Sequence, residues 1–118
     1  MQHLFAYGSL APGGSNAHIM QDIPGRWQPA SVRGRVLRLG WGESRGYLAL
    51  LPDAGAAPVP GWLFSSDALA AHLARLDAFE GVQYQRVSVT ATLPDGRALP
   101  AFVYALHPGE RARVRGAP

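Results

Sequence analysis

Residues 5–10 read Phe-Ala-Tyr-Gly-Ser-Leu, and residues 11–14 continue as Ala-Pro-Gly-Gly. The apolar run from Leu4 to Tyr7 is typical of a β-strand, and Gly8 ends that strand in a loop of small residues. Gly8 permits backbone angles closed to other residues and lets a ligand approach the main chain. Such a loop can present backbone N–H groups to an anion or a polarised carbonyl. For this stretch alone, a tight turn without a binding role is the simpler interpretation.

The composition limits the chain to one domain with one hydrophobic core, because it has 118 residues. The absence of cysteine excludes a disulfide framework, a thiolate nucleophile and a Cys-based metal site. The N-terminus lacks the pattern of a secretory signal, and no run approaches the roughly 18 apolar residues that span a bilayer. We therefore expect a cytoplasmic protein without membrane attachment.

The charge pattern does not indicate nucleic-acid binding. The chain carries 11 basic residues, all of them Arg, and its net charge is only +3. Three of these arginines lie near the C-terminus, at Arg111, Arg113 and Arg115. The others are scattered, whereas a nucleic-acid binder should show a basic footprint with interleaved aromatic residues. We expect no nucleic-acid partner.

Other catalytic or binding patterns are incomplete. The four histidines, at 3, 18, 72 and 107, lack metal-ligand spacing, so no metal site is expected. Ser9, His18 and Asp22 supply the residue types of a hydrolase triad, but the Gly-x-Ser-x-Gly elbow is absent. The Gly-rich loop also lacks the Gly-Lys-Ser/Thr ending of a phosphate-binding loop.

Alternation of apolar residues and turn signals predict a mostly β-structure. The predicted strands are Leu4–Tyr7, Ser31–Leu39, Tyr47–Leu51, Val59–Phe64, Tyr84–Leu93 and Ala98–Leu106. Residues 27–29 are interpreted as a connector and 40–46 as a loop, and residues 94–97 form a hairpin turn. The sequence predicts an α+β fold with a small, mixed, barrel-like sheet. Residues 1–106 form one domain, and 107–118 form a mobile tail.

Two helices are predicted between the strands. The main helix, about 66–79, has Ser66 as its N-cap and one buried face at Leu69, Leu73 and Leu76. A short helix, about 15–22, follows the first loop with Ser15 as its cap. The main helix runs out near Glu80, and Gly81 is a natural C-terminal stop.

Glu80 is a candidate general base. A carboxylate near a helix C-terminus lies at the negative end of the helix dipole, which disfavours ionisation. An apolar neighbour such as Phe79 would add desolvation, so both effects would raise the pKa of Glu80. A raised pKa suits a general base near neutral pH. Without a partner motif, an exposed residue at a helix end is the preferred interpretation of Glu80.

The chain resembles the γ-glutamylcyclotransferase-like superfamily, in particular its γ-glutamylamine cyclotransferase and avirulence-induced-gene-like members. The resemblance rests on residues 5–10, the Gly-rich loop, Leu-Asp-Ala-Phe-Glu-Gly at 76–81 and Tyr-Gln-Arg-Val at 84–87. It covers roughly residues 1–106 and implies a compact mixed structure around a small β-barrel, in agreement with the strand pattern.

The resemblance implies an enzyme that cyclises γ-glutamyl compounds. The substrate α-amine attacks its own γ-carbonyl and releases 5-oxoproline and a free amine or amino acid, so neither a cofactor nor a metal is implied. The family's acid/base Glu matches Glu80. Its substrate-binding loop matches Tyr7, Gly8, Ser9 and Leu10. Tyr84 and Arg86 follow the Glu motif and could line the pocket, although a structural ion pair is the preferred interpretation of Arg86.

The chain departs from the family pattern in its middle strand, where Tyr47-Leu48 replaces an aromatic residue followed by Pro. The segment that follows Glu80 starts with only four residues, 81–84. We therefore expect the side of the pocket next to this segment to be open. Because of these two features, the sequence does not identify the amine that is released. It does not indicate an oligomeric state either. A non-catalytic module that binds a small carboxylate in the same pocket is the alternative to an enzyme.

Overall fold

The computed structural model describes residues 1–38 and 48–110. Within them the chain forms β1 (Gln2–Ala6), β2 (Arg26–Arg38), β3 (Leu48–Pro52), β4 (Pro58–Ser66), α1 (Leu73–Glu80), β5 (Tyr84–Thr92) and β6 (Ala98–Leu106). It also forms short 3-10 helices at Ala17–Met20, Leu69–His72 and Pro108–Glu110. The predicted α+β fold with a small mixed barrel is confirmed.

The strands form one mixed sheet that closes on itself. Their order is β1-β4-β2-β3-β6-β5, and further pairings of β1 with β6 and of β2 with β5 close the barrel. β1 pairs antiparallel with β4 on one side and parallel with β6 on the other. β2 pairs with β4 through its first part and with β3 through its last part. The result is a five-stranded barrel with one extra strand.

The first strand, β1, is buried on both of its faces. Leu4 is 0% exposed and belongs to the apolar cluster that includes Leu76 of α1. Phe5 is 1% exposed and belongs to a second cluster that includes Leu63 of β4. A strand buried on both faces forms a continuous apolar run, which explains why residues 4–7 show no alternation. The loop after β1 therefore begins where the barrel and the helix meet.

The second strand starts earlier than predicted. The interpretation of Trp27–Pro29 as a connector is wrong, because β2 begins at Arg26 and pairs with β4 from that residue. Trp27 packs against Phe64 with ring centroids 4.9 Å apart. This contact joins segments distant in sequence, so the local pattern that placed the strand start at Ser31 could not detect it.

The main helical segment starts later than predicted. Ser66 is the last residue of β4, and its hydroxyl accepts a hydrogen bond from the Ala68 N–H at 2.9 Å. The first turn, Leu69–His72, is a 3-10 helix that leads directly into α1. The predicted buried face is confirmed at Leu69 and Leu76, which are fully buried, and Leu73 packs partly buried against the same cluster.

The other local predictions have mixed outcomes. The short helix is only the four-residue 3-10 helix Ala17–Met20, and Asn16 rather than Ser15 occupies its cap position. The hairpin turn before β6 is confirmed, because Gly96 has a φ of 91° and its N–H donates to the Leu93 carbonyl at 2.9 Å. A positive φ of this kind favours glycine.

Some predictions fall outside the described residues, namely the loop at 40–46, the strand start at Tyr47 and residues 111–118 of the tail. The His107 N–H donates to the Gln83 carbonyl at 2.8 Å, so the start of the proposed tail contacts the domain. The division into a domain and a mobile tail stays a prediction. Within the described residues, no helix is long and apolar enough to cross a membrane.

Candidate active site

The carbonyl groups of the loop after β1 accept hydrogen bonds from nearby backbone N–H groups. The Gly8 carbonyl accepts a hydrogen bond from the Ala11 N–H at 3.1 Å, and the Ser9 carbonyl accepts one from the Asn16 N–H at 2.8 Å. In the part of the chain that the structure describes, no group accepts a hydrogen bond from the N–H of Gly8, Ser9 or Leu10. Because backbone donors require acceptors, these N–H groups can serve a ligand.

The loop conformation depends on Gly14 more than on Gly8. A Cβ atom at Gly14 would lie 2.4 Å from the Ser9 carbonyl oxygen and 2.8 Å from that of Gly8. Gly8 itself does not have a positive φ, so it does not use the backbone angles that only glycine permits. A Cβ at Gly8 would meet nothing within 4 Å. The space beside the Gly8 main chain is therefore open, as the approach of a ligand requires.

Glu80 is the last residue of α1. Leu76, one turn earlier, is 0% exposed and packs in the same apolar cluster as Leu4 and Leu10. Gly81 has a φ of 83°, and its N–H donates to the Asp77 carbonyl at 3.2 Å. Buried packing and a glycine stop thus fix the end of the helix, and with it the position of the Glu80 backbone.

One pocket contains both halves of the predicted site. The pocket is open on one side, and about 390 Å³ of space free of protein atoms lies within it and at its mouth. The predicted site residues in its wall are Tyr7, Gly8, Ser9, Leu10, Glu80 and Tyr84. Leu48 at the start of β3 and Tyr104 near the end of β6 also line it, together with residues of β1. The loop and the helix end therefore face one cavity from two elements distant in sequence.

Burial in this pocket raises the pKa of Glu80 from its ordinary value of 4.5 to about 7. Desolvation penalises the charged carboxylate, and no described residue forms an ion pair or a hydrogen bond with Glu80 that would offset it. The raised pKa of Glu80 agrees with the prediction, but Phe79 is not the residue that desolvates the carboxylate. Phe79 is 39% exposed and does not line the pocket, whose apolar walls come from residues such as Leu4 and Leu48.

Tyr7 connects three strands around the pocket. Its hydroxyl donates to the Tyr104 carbonyl in β6 at 2.5 Å and accepts from the Leu50 N–H in β3 at 3.0 Å. Burial is the main cause that raises the pKa of Tyr7 above its ordinary value of 10.0. The hydroxyl stays neutral and holds the wall of the pocket together. The Tyr84 hydroxyl similarly donates to the Leu48 carbonyl at 2.7 Å.

The structure does not bring Arg86 into the pocket wall. Its Nε and Nη2 atoms donate to the two carboxylate oxygens of Asp77 at 3.0 Å and 3.3 Å. Its guanidinium also lies 5.0 Å from the centre of the Phe102 ring. This is the structural ion pair that was the preferred interpretation of the residue, and it ties β5 to α1.

Sequence reasoning missed Tyr104, which is 4% exposed and lines the pocket. Its hydroxyl donates to Asp77 Oδ1 at 2.6 Å. Burial first, and then this hydrogen bond, raise the pKa of Tyr104 above its ordinary value of 10.0. Tyr104 belongs to an apolar strand and no adjacent motif marks it, so only the tertiary fold reveals its position. Across residues 1–38 and 48–110, no group of three His, Asp or Glu side chains could hold a metal ion.

Comparisons with known proteins agree with this architecture. The family model described as gamma-glutamyl cyclotransferase, AIG2-like matches residues 4–117. No curated protein sequence matches the chain.

Several solved structures share the fold. An AIG2-like protein from Mus musculus superposes with a TM-score of 0.75 at 24% identity, over 100% of this chain and 84% of that protein. A protein from Arabidopsis thaliana gives 0.70 at 23% identity, over 98% of this chain and 67% of that one. A structure described as gamma-glutamyl cyclotransferase gives 0.66 at 18% identity, over 90% of this chain and 66% of that one.

Proposed function

The chain belongs to the gamma-glutamyl cyclotransferase, AIG2-like family, and from this membership and the pocket geometry we propose that it is a γ-glutamyl cyclotransferase-type enzyme. Its substrate is a small γ-glutamyl compound with a free α-amine. Its products are 5-oxoproline and the amine or amino acid released from the γ-carbonyl. Glu80 is the proposed general acid/base, and the loop from Tyr7 to Leu10 is the proposed substrate-binding element.

The reaction needs one base and a set of hydrogen-bond donors. Glu80 takes a proton from the substrate α-ammonium, and the neutral amine attacks the γ-carbonyl carbon of the same molecule. A five-membered ring closes while the carbonyl oxygen becomes an oxyanion. The carbonyl re-forms as this carbon loses its bond to the leaving nitrogen, and Glu80 returns its proton to that nitrogen. The ring nitrogen gives its remaining extra proton to the departing amine, so that 5-oxoproline forms as a neutral lactam and the amine leaves as an ammonium ion. Because the nucleophile belongs to the substrate, no protein nucleophile is required.

The observation that carries the proposal is the placement of Glu80 opposite the loop in one pocket. With a pKa of about 7, the carboxylate is ionised in a large fraction of molecules at neutral pH and can also return a proton efficiently. General acid–base catalysis of this kind typically contributes about 10²- to 10⁴-fold.

The N–H groups of Gly8, Ser9 and Leu10, which donate to no group in the described part of the chain, support the second half of the proposal. Fixed donors at a developing oxyanion are worth far more than donors in water, since they need no reorganisation during the reaction. Donors in the same loop could also hold the substrate α-carboxylate. A pocket that restrains the folded substrate adds an orientation effect on ring closure.

The proposal is tested by incubating the protein with a panel of γ-glutamyl amines and γ-glutamyl dipeptides and following 5-oxoproline by NMR. Release from at least one member, accompanied by an equal amount of the amine, is expected. If no member reacts but small carboxylates still shift the protein signals, the protein is a binding module and the enzymatic proposal fails. The same panel identifies the preferred leaving amine.

A further inference from the structure

Among the residues that the structure describes, three tyrosines line the pocket, and each hydroxyl proton points toward a protein acceptor. The Tyr7 hydroxyl donates to a carbonyl of β6, and the Tyr84 hydroxyl donates to the Leu48 carbonyl. The Tyr104 hydroxyl donates to the Asp77 carboxylate. A tyrosine hydroxyl has one proton and lone pairs that accept. Once its proton is committed, it offers a pocket ligand an acceptor and not a donor.

The hydrogen bond from Tyr104 to Asp77 keeps the phenolic oxygen of Tyr104 an acceptor toward the pocket. Asp77 Oδ1 lies 2.6 Å from the Tyr104 hydroxyl and 3.0 Å from Arg86 Nε. The Tyr104 proton is directed at this carboxylate oxygen, so the lone pairs of the phenol remain for other donors. Arg86 donates to both carboxylate oxygens of Asp77, a bidentate contact that gives the carboxylate a defined orientation.

Tyr104 also lies close to the proposed base. Both residues line the same pocket, and Asp77 lies one helical turn before Glu80 on α1. The charge of Glu80 contributes to the raised pKa of Tyr104, which reflects the proximity of the two groups. A hydrogen-bond acceptor and a carboxylate side by side form a site for a group with several N–H donors.

We propose that the Tyr104 phenolic oxygen accepts a hydrogen bond from the substrate α-ammonium, and that Asp77 is the positioning residue that keeps this oxygen an acceptor. The inference rests on the proposed function for its substrate class. It divides the pocket into two sides. The loop N–H groups face the negative end of the amino acid, and Tyr104 and Glu80 face its positive end. Hydrogen bonds to a charged partner are stronger than neutral ones, so the loss of one should be measurable.

The test compares two ligands that differ only in the α-amine. L-glutamine carries it, and glutaric acid monoamide lacks it. Each is titrated into wild type and into Tyr104→Phe, with the affinity taken from protein amide shifts in NMR spectra. Wild type is expected to prefer glutamine. Tyr104→Phe should reduce this preference by at least about fivefold and change the affinity for the monoamide by less than about twofold.

If Tyr104 had a purely structural role, Tyr104→Phe would lose affinity for both ligands to the same extent. That result would overturn the inference. A wild type without preference for the amine would overturn it as well. Asp77→Asn should also reduce the preference, but it should have no further effect when combined with Tyr104→Phe. Additive losses in the double variant would exclude the positioning role of Asp77, and unfolding midpoints identify any variant that is simply unstable.

The same spectra separate this inference from the proposed function. Turnover of glutamine would appear as 5-oxoproline signals in the sample tube. The preference for the amine could depend on Tyr104 while no γ-glutamyl compound yields 5-oxoproline. That result would support the ammonium-binding site and contradict the proposed enzymatic activity. If 5-oxoproline forms and Tyr104→Phe keeps the wild-type preference for glutamine, the enzymatic activity is supported and the ammonium-binding role of Tyr104 is contradicted.

Discussion

The Glu80 carboxylate and the Gly8 main chain line the same pocket, although one ends the main helix and the other follows the first strand. β1 lies between the barrel interior and the helix layer, so the loop at its end reaches the cavity beside α1. Burial of Leu76 fixes the helix against the same apolar cluster. The candidate site therefore depends on the packing of α1 against β1, and its properties can be tested through stability as well as activity.

Glu80 should destabilise the folded protein at neutral pH. Its folded pKa of about 7 exceeds its ordinary value of 4.5, so the folded state binds more protons than the unfolded state between those values. The contribution of Glu80 to stability therefore decreases as pH rises from about 4.5 to 7. Glu80→Gln should be more stable than wild type by up to about 3 kcal/mol at pH 8, with little difference below pH 4.5.

Urea unfolding from pH 4 to 8 checks this prediction. Asp67→Asn provides the control, because it removes a carboxylate that is exposed and lies outside the pocket. Parallel stability curves for wild type and Glu80→Gln would mean that the carboxylate is not desolvated in the folded protein.

The pH dependence of kcat/KM should also reflect the ionisation of Glu80. We expect kcat/KM for a reactive γ-glutamyl compound to rise with pH and to level off above an apparent pKa of about 7, because the base must be ionised in the free enzyme. Initial rates of 5-oxoproline release over pH 5 to 9 measure this limb. A limb centred near pH 4.5 would indicate a solvated carboxylate and would contradict the burial argument.

Gly8 and Gly14 should respond differently to alanine. Open space surrounds the position of a Cβ at Gly8, so Gly8→Ala should change the free energy of unfolding by less than about 1 kcal/mol. Its methyl group would project beside the pocket and should lower kcat/KM by about tenfold, because small displacements of a bound substrate are costly.

Gly14→Ala is the matched comparison. Its Cβ would lie 2.4 Å from the Ser9 carbonyl oxygen, so the backbone of the loop must move. We expect a loss of about 1 to 3 kcal/mol of unfolding free energy, together with lower activity. Equal stability of the two alanine variants in urea titrations would show that the loop is not packed as described.

Tyr7→Phe should act mainly on stability. The fully buried Leu50 would lose the acceptor of its N–H, and the Tyr104 carbonyl would lose a donor. Unsatisfied buried groups of this kind cost about 1 to 3 kcal/mol each. Denaturant unfolding of the variant measures the loss, and an unchanged midpoint would indicate that the hydroxyl does not connect the strands.

The sequence predicted the parts of the site that are encoded locally. The loop after β1 and the Leu-Asp-Ala-Phe-Glu-Gly motif are contiguous, and the resemblance related them to each other. The pairing partners of Tyr104 and Trp27 could not be predicted, because their contacts join strands or helices far apart in the chain. The assignment of desolvation to Phe79 failed for the same reason, since its exposure depends on which face of α1 meets the barrel.

The proposed role of Glu80 in moving the protons of the cyclisation is tested by comparing 5-oxoproline release by wild type and by Glu80→Gln. Both proteins are given the best compound of the γ-glutamyl panel at saturating and at low concentration, with Asp67→Asn as the folded control. We expect a decrease in kcat of at least about 100-fold for Glu80→Gln, and activity near that of wild type for Asp67→Asn. A correctly folded Glu80→Gln protein that releases 5-oxoproline as fast as wild type would contradict the proposed role.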